Sequence, residues 1–175
     1  VGDQEASEPE SGWQRWVTMV ARLVLGITLI VAGGLKVTAI DAAINSVRAY
    51  KLLPFEITWL VGTALPIVEI VVGVMLVTGT FTRLAAALGS GLMLAFIIGI
   101  VSVWVRGISI DCGCFAPGGA VDPSQTQYPL EVARDIGLLL LGAWTIWRPR
   151  SRFAIDGWLF ARPVYASDPD QENPR

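Results

Sequence analysis

The stretch that decides the fold runs from Ile57 to Thr78, ITWLVGTALPIVEIVVGVMLVT. It holds one charged residue, Glu69, in twenty-two positions. A helix of that length rises roughly 33 Å, and a hydrocarbon core of about 30 Å takes about 20 helical residues to cross. Working outward, three more apolar runs stand near it: Trp16–Leu35, Leu84–Val105 and Leu130–Trp147. The last is the shortest, and its first turns carry Glu131, Arg134 and Asp135. Its entry is therefore expected at headgroup level or packed inside the bundle. The fold class that follows is an all-α integral membrane protein, a bundle of four transmembrane helices.

Composition agrees. Of the 175 residues 53% are hydrophobic and only 16% charged, and the mean hydropathy is +0.57. A soluble domain carries about 25% charged residues. A soluble enzyme, a nucleic-acid binder and a disordered chain are all disfavoured, and no basic stripe could follow a phosphate backbone. Histidine is absent and there are two cysteines, Cys112 and Cys114. The usual metal ligand and the commonest general base are therefore missing, and no metal or cofactor site is evident. Membrane lipid is the expected surrounding.

Charge divides the chain. Residues 1–12 hold four acids and no base, and residues 164–175 hold three acids against Arg175. The stretch 13–163 is net positive, with 12 Lys/Arg and 8 Asp/Glu. The expected organisation is an acidic tail over 1–12, a membrane domain over 13–150, and an interfacial segment with a second acidic tail over 151–175. Lys36 stands where a cleavable leader would need small residues, so the first run reads as a retained crossing. Trp13, Trp16, Trp59, Trp104, Trp144 and Trp147 lie near segment ends, where indoles anchor at the interface.

Between the first two runs, AIDAAINSVRAYKLLP (39–54) alternates with a helical period. Ile40, Ala43, Ile44, Val47 and Tyr50 share one face; Asp41, Asn45, Arg48 and Lys51 share the other. The reading is a short amphipathic helix on the membrane surface, ended by Pro54. Arg148, Arg150 and Arg152 after the fourth run, with Arg83 between the second and third, place both termini in the cytoplasm of a bacterial cell by the positive-inside rule. Lys36, Arg48, Lys51 and Arg106 then lie outside, with both cysteines.

Residues 106–129, RGISIDCGCFAPGGAVDPSQTQYP, carry the remaining chemistry. Cys112 and Cys114 flank Gly113, whose freedom of φ eases the tight ring a disulfide would close there. A bond over one residue removes little unfolded-state entropy, so it is a weak staple, and a strained exposed disulfide is readily exchanged. That favours a redox pair over a structural bond or a mere interfacial position. A metal site completed by another chain is disfavoured without histidine. Asp111 opposes the Cys112 thiolate; Arg106 or Arg134 would favour it if close.

Within the runs, Glu69 must face the bundle interior, paired or protonated. Arg22 is its expected partner at matching depth, while Lys36 is expected to snorkel outward. Glu69 then reads as a polar clasp between helices, or as a group that relays a proton or meets a quinone-like headgroup. Pro66 should bend the second crossing, and Ala87, Gly91, Ala95 and Gly99 form a stripe that lets another helix approach.

AGGLK (32–36), PIVEIVVGVML (66–76) and CGCF (112–115) together resemble the DoxX-like superfamily of four-helix membrane proteins, and within it the MauE branch of methylamine-utilisation and redox-associated proteins. The resemblance spans roughly residues 16–147. It implies a four-helix bundle that serves disulfide or redox maturation of exported proteins beside a thioredoxin-like partner. It implies exchange at Cys112 and Cys114, with Glu69 and Lys36 as family-like polar positions. One cysteine pair does not make a self-sufficient enzyme. The competing reading is a non-catalytic accessory or assembly subunit of a larger membrane complex, such as a respiratory one. A transporter is disfavoured, because no half of the chain repeats the other.

Overall fold

The computed structural model describes residues 12–111, 119–120, 122 and 126–148. The apolar runs form helices because lipid offers no hydrogen-bond partner, so each backbone group must find its own within the segment. In chain order the elements are α1 (Gly12–Val37), α2 (Ile40–Ala49), α3 (Phe55–Thr78), α4 (Thr82–Val105), β1 (Ile110–Asp111), β2 (Gly119–Ala120) and α5 (Tyr128–Trp147). Pro54 stands just ahead of α3. Gly79, with φ +74°, closes α3, its N–H donating to Met75 O as Thr80 N–H does; only a residue without Cβ takes that conformation without strain. Pro129 lies in the first turn of α5, where a missing N–H costs nothing.

Three helices, α1, α3 and α4, are long and apolar enough to cross a membrane. The twenty residues of α5 match the span in length, at roughly 30 Å. The charges in its first two turns set it apart from the other three.

α1 packs antiparallel along α3, and α5 packs along α4; α1 also touches α5 and α3 touches α4, so the four long helices close a ring. Leu25, Leu29, Val72, Leu76, Ala85, Ala86, Met93 and Leu138 fill its centre. The outward faces are apolar as well, with Ile27, Val31, Val71, Ile98 and Leu140 all exposed. A water-soluble bundle would not present such a surface. Trp13, Trp16, Trp59, Trp104 and Trp147 are exposed near helix ends, as anchors should be. Trp144 is half-buried, and its Nε1–H donates to Thr18 Oγ1 at 3.3 Å.

The close helix approach lies elsewhere than the α4 stripe suggested. A Cβ built on Gly26 would stand 2.9 Å from Gly73 O, and one on Gly33 would stand 2.7 Å from Pro66 O. The tight contact is thus α1 on α3, through glycines seven residues apart. Ala87, Gly91 and Ala95 are exposed instead, and only Gly99 of that stripe is covered, by the ring of Tyr50. Four-residue spacing places small residues on one face, but it does not say which way that face is turned.

Candidate functional site

One end of the ring collects the end of α1, the start of α3, the end of α4 and the start of α5, together with α2 and the β1–β2 pair. The polar chemistry of the described residues is concentrated toward this end.

Lys36, next to last in α1, does not snorkel outward. Its Nζ lies 2.5 Å from Glu69 Oε1, with the lysine side chain 10% exposed and the glutamate side chain 0%. The same Nζ stands 4.9 Å from the centroid of the Phe96 ring on α4, a cation–π distance. The ion pair on Glu69 is therefore made by Lys36 and not by Arg22. Helix geometry gives the reason. Gly26 faces Gly73 and Gly33 faces Pro66, so Glu69 lies level with α1 residues between Gly26 and Gly33. Side chains lean toward the N-terminus of their helix. Lys36 leans down to that level, whereas Arg22, itself buried, leans away from it.

α5 supplies a second pair. Arg134 donates from Nε at 2.9 Å and from Nη2 at 2.8 Å to the same oxygen, Asp135 Oδ1. Residues adjacent on a helix do not face each other; the long arginine curls back to reach its neighbour. Asp135 is 1% exposed, so of the two expectations for this entry the packed one holds. The other carboxylate oxygens, Glu69 Oε2 and Asp135 Oδ2, are buried with no hydrogen-bond partner. Lys36, Glu69, Met93, Phe96, Arg134 and Asp135 line one small hollow. A second hollow, roomier than the first, lies beneath α2, walled by Ser46, Val47, Tyr50 and Leu65, and it shares Lys36 and Phe96 with the first.

Sequence reading found Glu69 and Lys36 but did not bring Arg134 and Asp135 to them. A carboxylate twelve positions after Ile57 in an otherwise apolar run was the available signal. Nothing in sequence marked Phe96.

Cys112 and Cys114 lie outside the described residues, as do both tails, Arg150 and Arg152. The segment leading to the cysteines is described, and it is firmly attached. β1 pairs antiparallel with β2, Ile110 opposite Ala120 and Asp111 opposite Gly119. The Tyr128 hydroxyl accepts from Ile110 N–H at 2.8 Å and donates to Ile108 O at 2.7 Å. Ile100, Val103, Ile110 and Tyr128 make a small core of their own, with Tyr50 against it. Arg106 donates to Tyr50 O and, at 3.1 Å, to Ser102 O. Tyr128→Phe should therefore release the loop base. It leaves a buried N–H and a carbonyl unmatched, for about 1–3 kcal/mol. Hydrogen exchange at the Ile110 amide should quicken while amides in the middle of α1 and α3 stay protected.

Residues 14–148 match the family model described as methylamine utilisation protein MauE. The chain belongs to the MauE family. Methylamine utilization protein MauE of Paracoccus denitrificans is 31% identical to it over 106 residues, which are 60% of this chain and 57% of that protein. The match therefore spans little more than half of the curated relative. No solved structure matches the chain. Family and apolar helices together make this MauE-family chain a membrane protein, and the resemblance carried by AGGLK, PIVEIVVGVML and CGCF is upheld at family level.

Proposed function

We propose that this MauE-family protein is a redox-maturation component of the bacterial plasma membrane, acting in methylamine utilisation. In this reading α1, α3, α4 and α5 all cross, both termini are cytoplasmic, and α2 lies at the outer surface. The Cys112–Cys114 pair is then held outside. The observation that supports this most is the anchored hairpin base. β1, β2 and Tyr128 fix the flanks of the cysteine stretch to the bundle end and leave the stretch itself between two paired strands.

The chemistry is thiol–disulfide exchange. A client thiolate attacks one sulfur of the Cys112–Cys114 disulfide, and the other sulfur leaves as thiolate. The client's second thiolate then attacks the mixed disulfide, so the client gains a disulfide and the pair is left as a dithiol. Two electrons pass to the pair, and two protons follow. The disulfide of a thioredoxin-like partner removes both by the same exchange.

Thiol trapping in native membranes tests this. Wild-type protein should show a mixture of oxidised and reduced pair, labelled by an impermeant reagent from outside. Cys112→Ser or Cys114→Ser should cut oxidation of exported clients to background. A pair that is always reduced, or labelled only from the cytoplasm, would overturn the reading. The exposed Ala87–Gly91–Ala95 face of α4 suits the accessory-subunit alternative. Stoichiometric co-purification with a large complex, unaffected by loss of both sulfurs, would favour that instead.

A further inference from the structure

The four charges that line the first hollow, Lys36, Glu69, Arg134 and Asp135, are balanced, yet they leave work undone. Each carboxylate meets its cation through one oxygen, and the second oxygens, Glu69 Oε2 and Asp135 Oδ2, are buried without a donor. Glu69 is 0% exposed and Asp135 1%. Buried acceptors of this kind are met in folded proteins by an ordered water or by a proton. Both oxygens belong to residues lining one hollow, and the clear space inside it suits about one water molecule. A charged ligand would upset a balanced set, and a bulky one would not fit. The required guest is small, neutral or protonic, and a hydrogen-bond donor.

We propose that Glu69 and Asp135 form a hydrated proton-exchange site within the bundle. One water donates to Glu69 Oε2 and to Asp135 Oδ2. A proton taken from solvent converts one carboxylate to a carboxylic acid, whose O–H replaces a missing donor, and the set passes from neutral to a single positive charge. Release returns the proton to water and restores neutrality. The entrance is the second hollow beneath α2, with the Ser46 and Tyr50 side chains in its wall and the Lys36 ammonium at the boundary between the two spaces. The groups that face the site are few. α1 brings Lys36; Arg22 lies nearly four turns earlier on that helix. α5 brings Arg134 and Asp135, with Glu131 one turn before. α4 brings Met93 and Phe96, neither titratable. α2 brings no carboxylate to the wall of the outer hollow. The proposal does not depend on the thiol chemistry.

Infrared spectroscopy of the full-length protein in native membranes tests it. As pH is lowered a carboxylic C=O band should grow, and Glu69→Gln or Asp135→Asn should remove a part of it that Asp41→Asn leaves in place. In wild-type protein that part should shift within minutes of transfer to D2O, because the site exchanges through water. A band of which no part depends on Glu69 or Asp135 at any pH where the protein stays folded, or a wild-type band that keeps an unshifted part after hours in D2O, would overturn the proposal and leave a static clasp.

Discussion

Lys36→Met should destabilise the bundle by about 3–5 kcal/mol at neutral pH, and adding Glu69→Leu should recover most of that loss. The asymmetry follows from where the two groups sit. Glu69 is fully enclosed, and the ammonium 2.5 Å away is its recorded hydrogen-bond partner. Removing the lysine leaves a carboxylate with neither water nor counter-charge, in surroundings where an uncompensated ion is most costly. Removing both charges leaves two apolar side chains of similar bulk among Met93, Phe96 and Leu29, which already line the space. Thermal unfolding in mild detergent, comparing the two single variants with the double, gives the coupling directly. The single-variant loss should shrink as pH falls, because a protonated Glu69 no longer needs the cation. Equal destabilisation by the single and double replacements would mean that the stems, and not the charges, hold α1 to α3.

How much of this was legible beforehand follows from what hydropathy measures. It reports which residues leave water, so the four long helices were readable to within four residues at each end. Ile57–Thr78 became Phe55–Thr78, and Leu84–Val105 became Thr82–Val105. α2 was readable as a helix, Ile40–Ala49 falling within the stretch 39–54 that carries the helical period. What hydropathy does not carry is the rotation of one helix against another. Lys36 has a long stem at a helix end, and sequence alone allows it to reach outward or inward. The leaning of side chains toward the N-terminus, combined with the register set by Gly26–Gly73 and Gly33–Pro66, decides for inward. The same missing rotation left Asp135 unassigned and did not say which way the α4 stripe faces. Cys112 and Cys114 were recognisable from their spacing, and that spacing remains the basis for the role given them.

The same chemical change, glycine to alanine, should have opposite effects on the two sides of the bundle. Gly73→Ala should cost about 1–3 kcal/mol, the usual range for overfilling a packed contact. A Cβ there would stand 2.7 Å from Gly26 O, 2.7 Å from Ile30 Cγ1 and 3.0 Å from Ile30 N. Two of those three atoms are backbone, so no side chain can swing aside to admit the methyl group, and α1 must move off α3. That movement also lifts Gly33 from Pro66 and lengthens the reach Lys36 needs to hold Glu69, so the loss should spread to the polar cluster. Gly91→Ala meets nothing within 4 Å and sits mid-helix in α4. There the added methyl only removes backbone freedom, and the gain is about 0.5–1 kcal/mol. Paired melting curves of the two variants in detergent read both signs. If Gly91→Ala is stabilising in isolated protein but lowers the amount of protein found in native membranes, the exposed α4 face is occupied there by another helix, and the accessory-subunit reading gains the contact it needs.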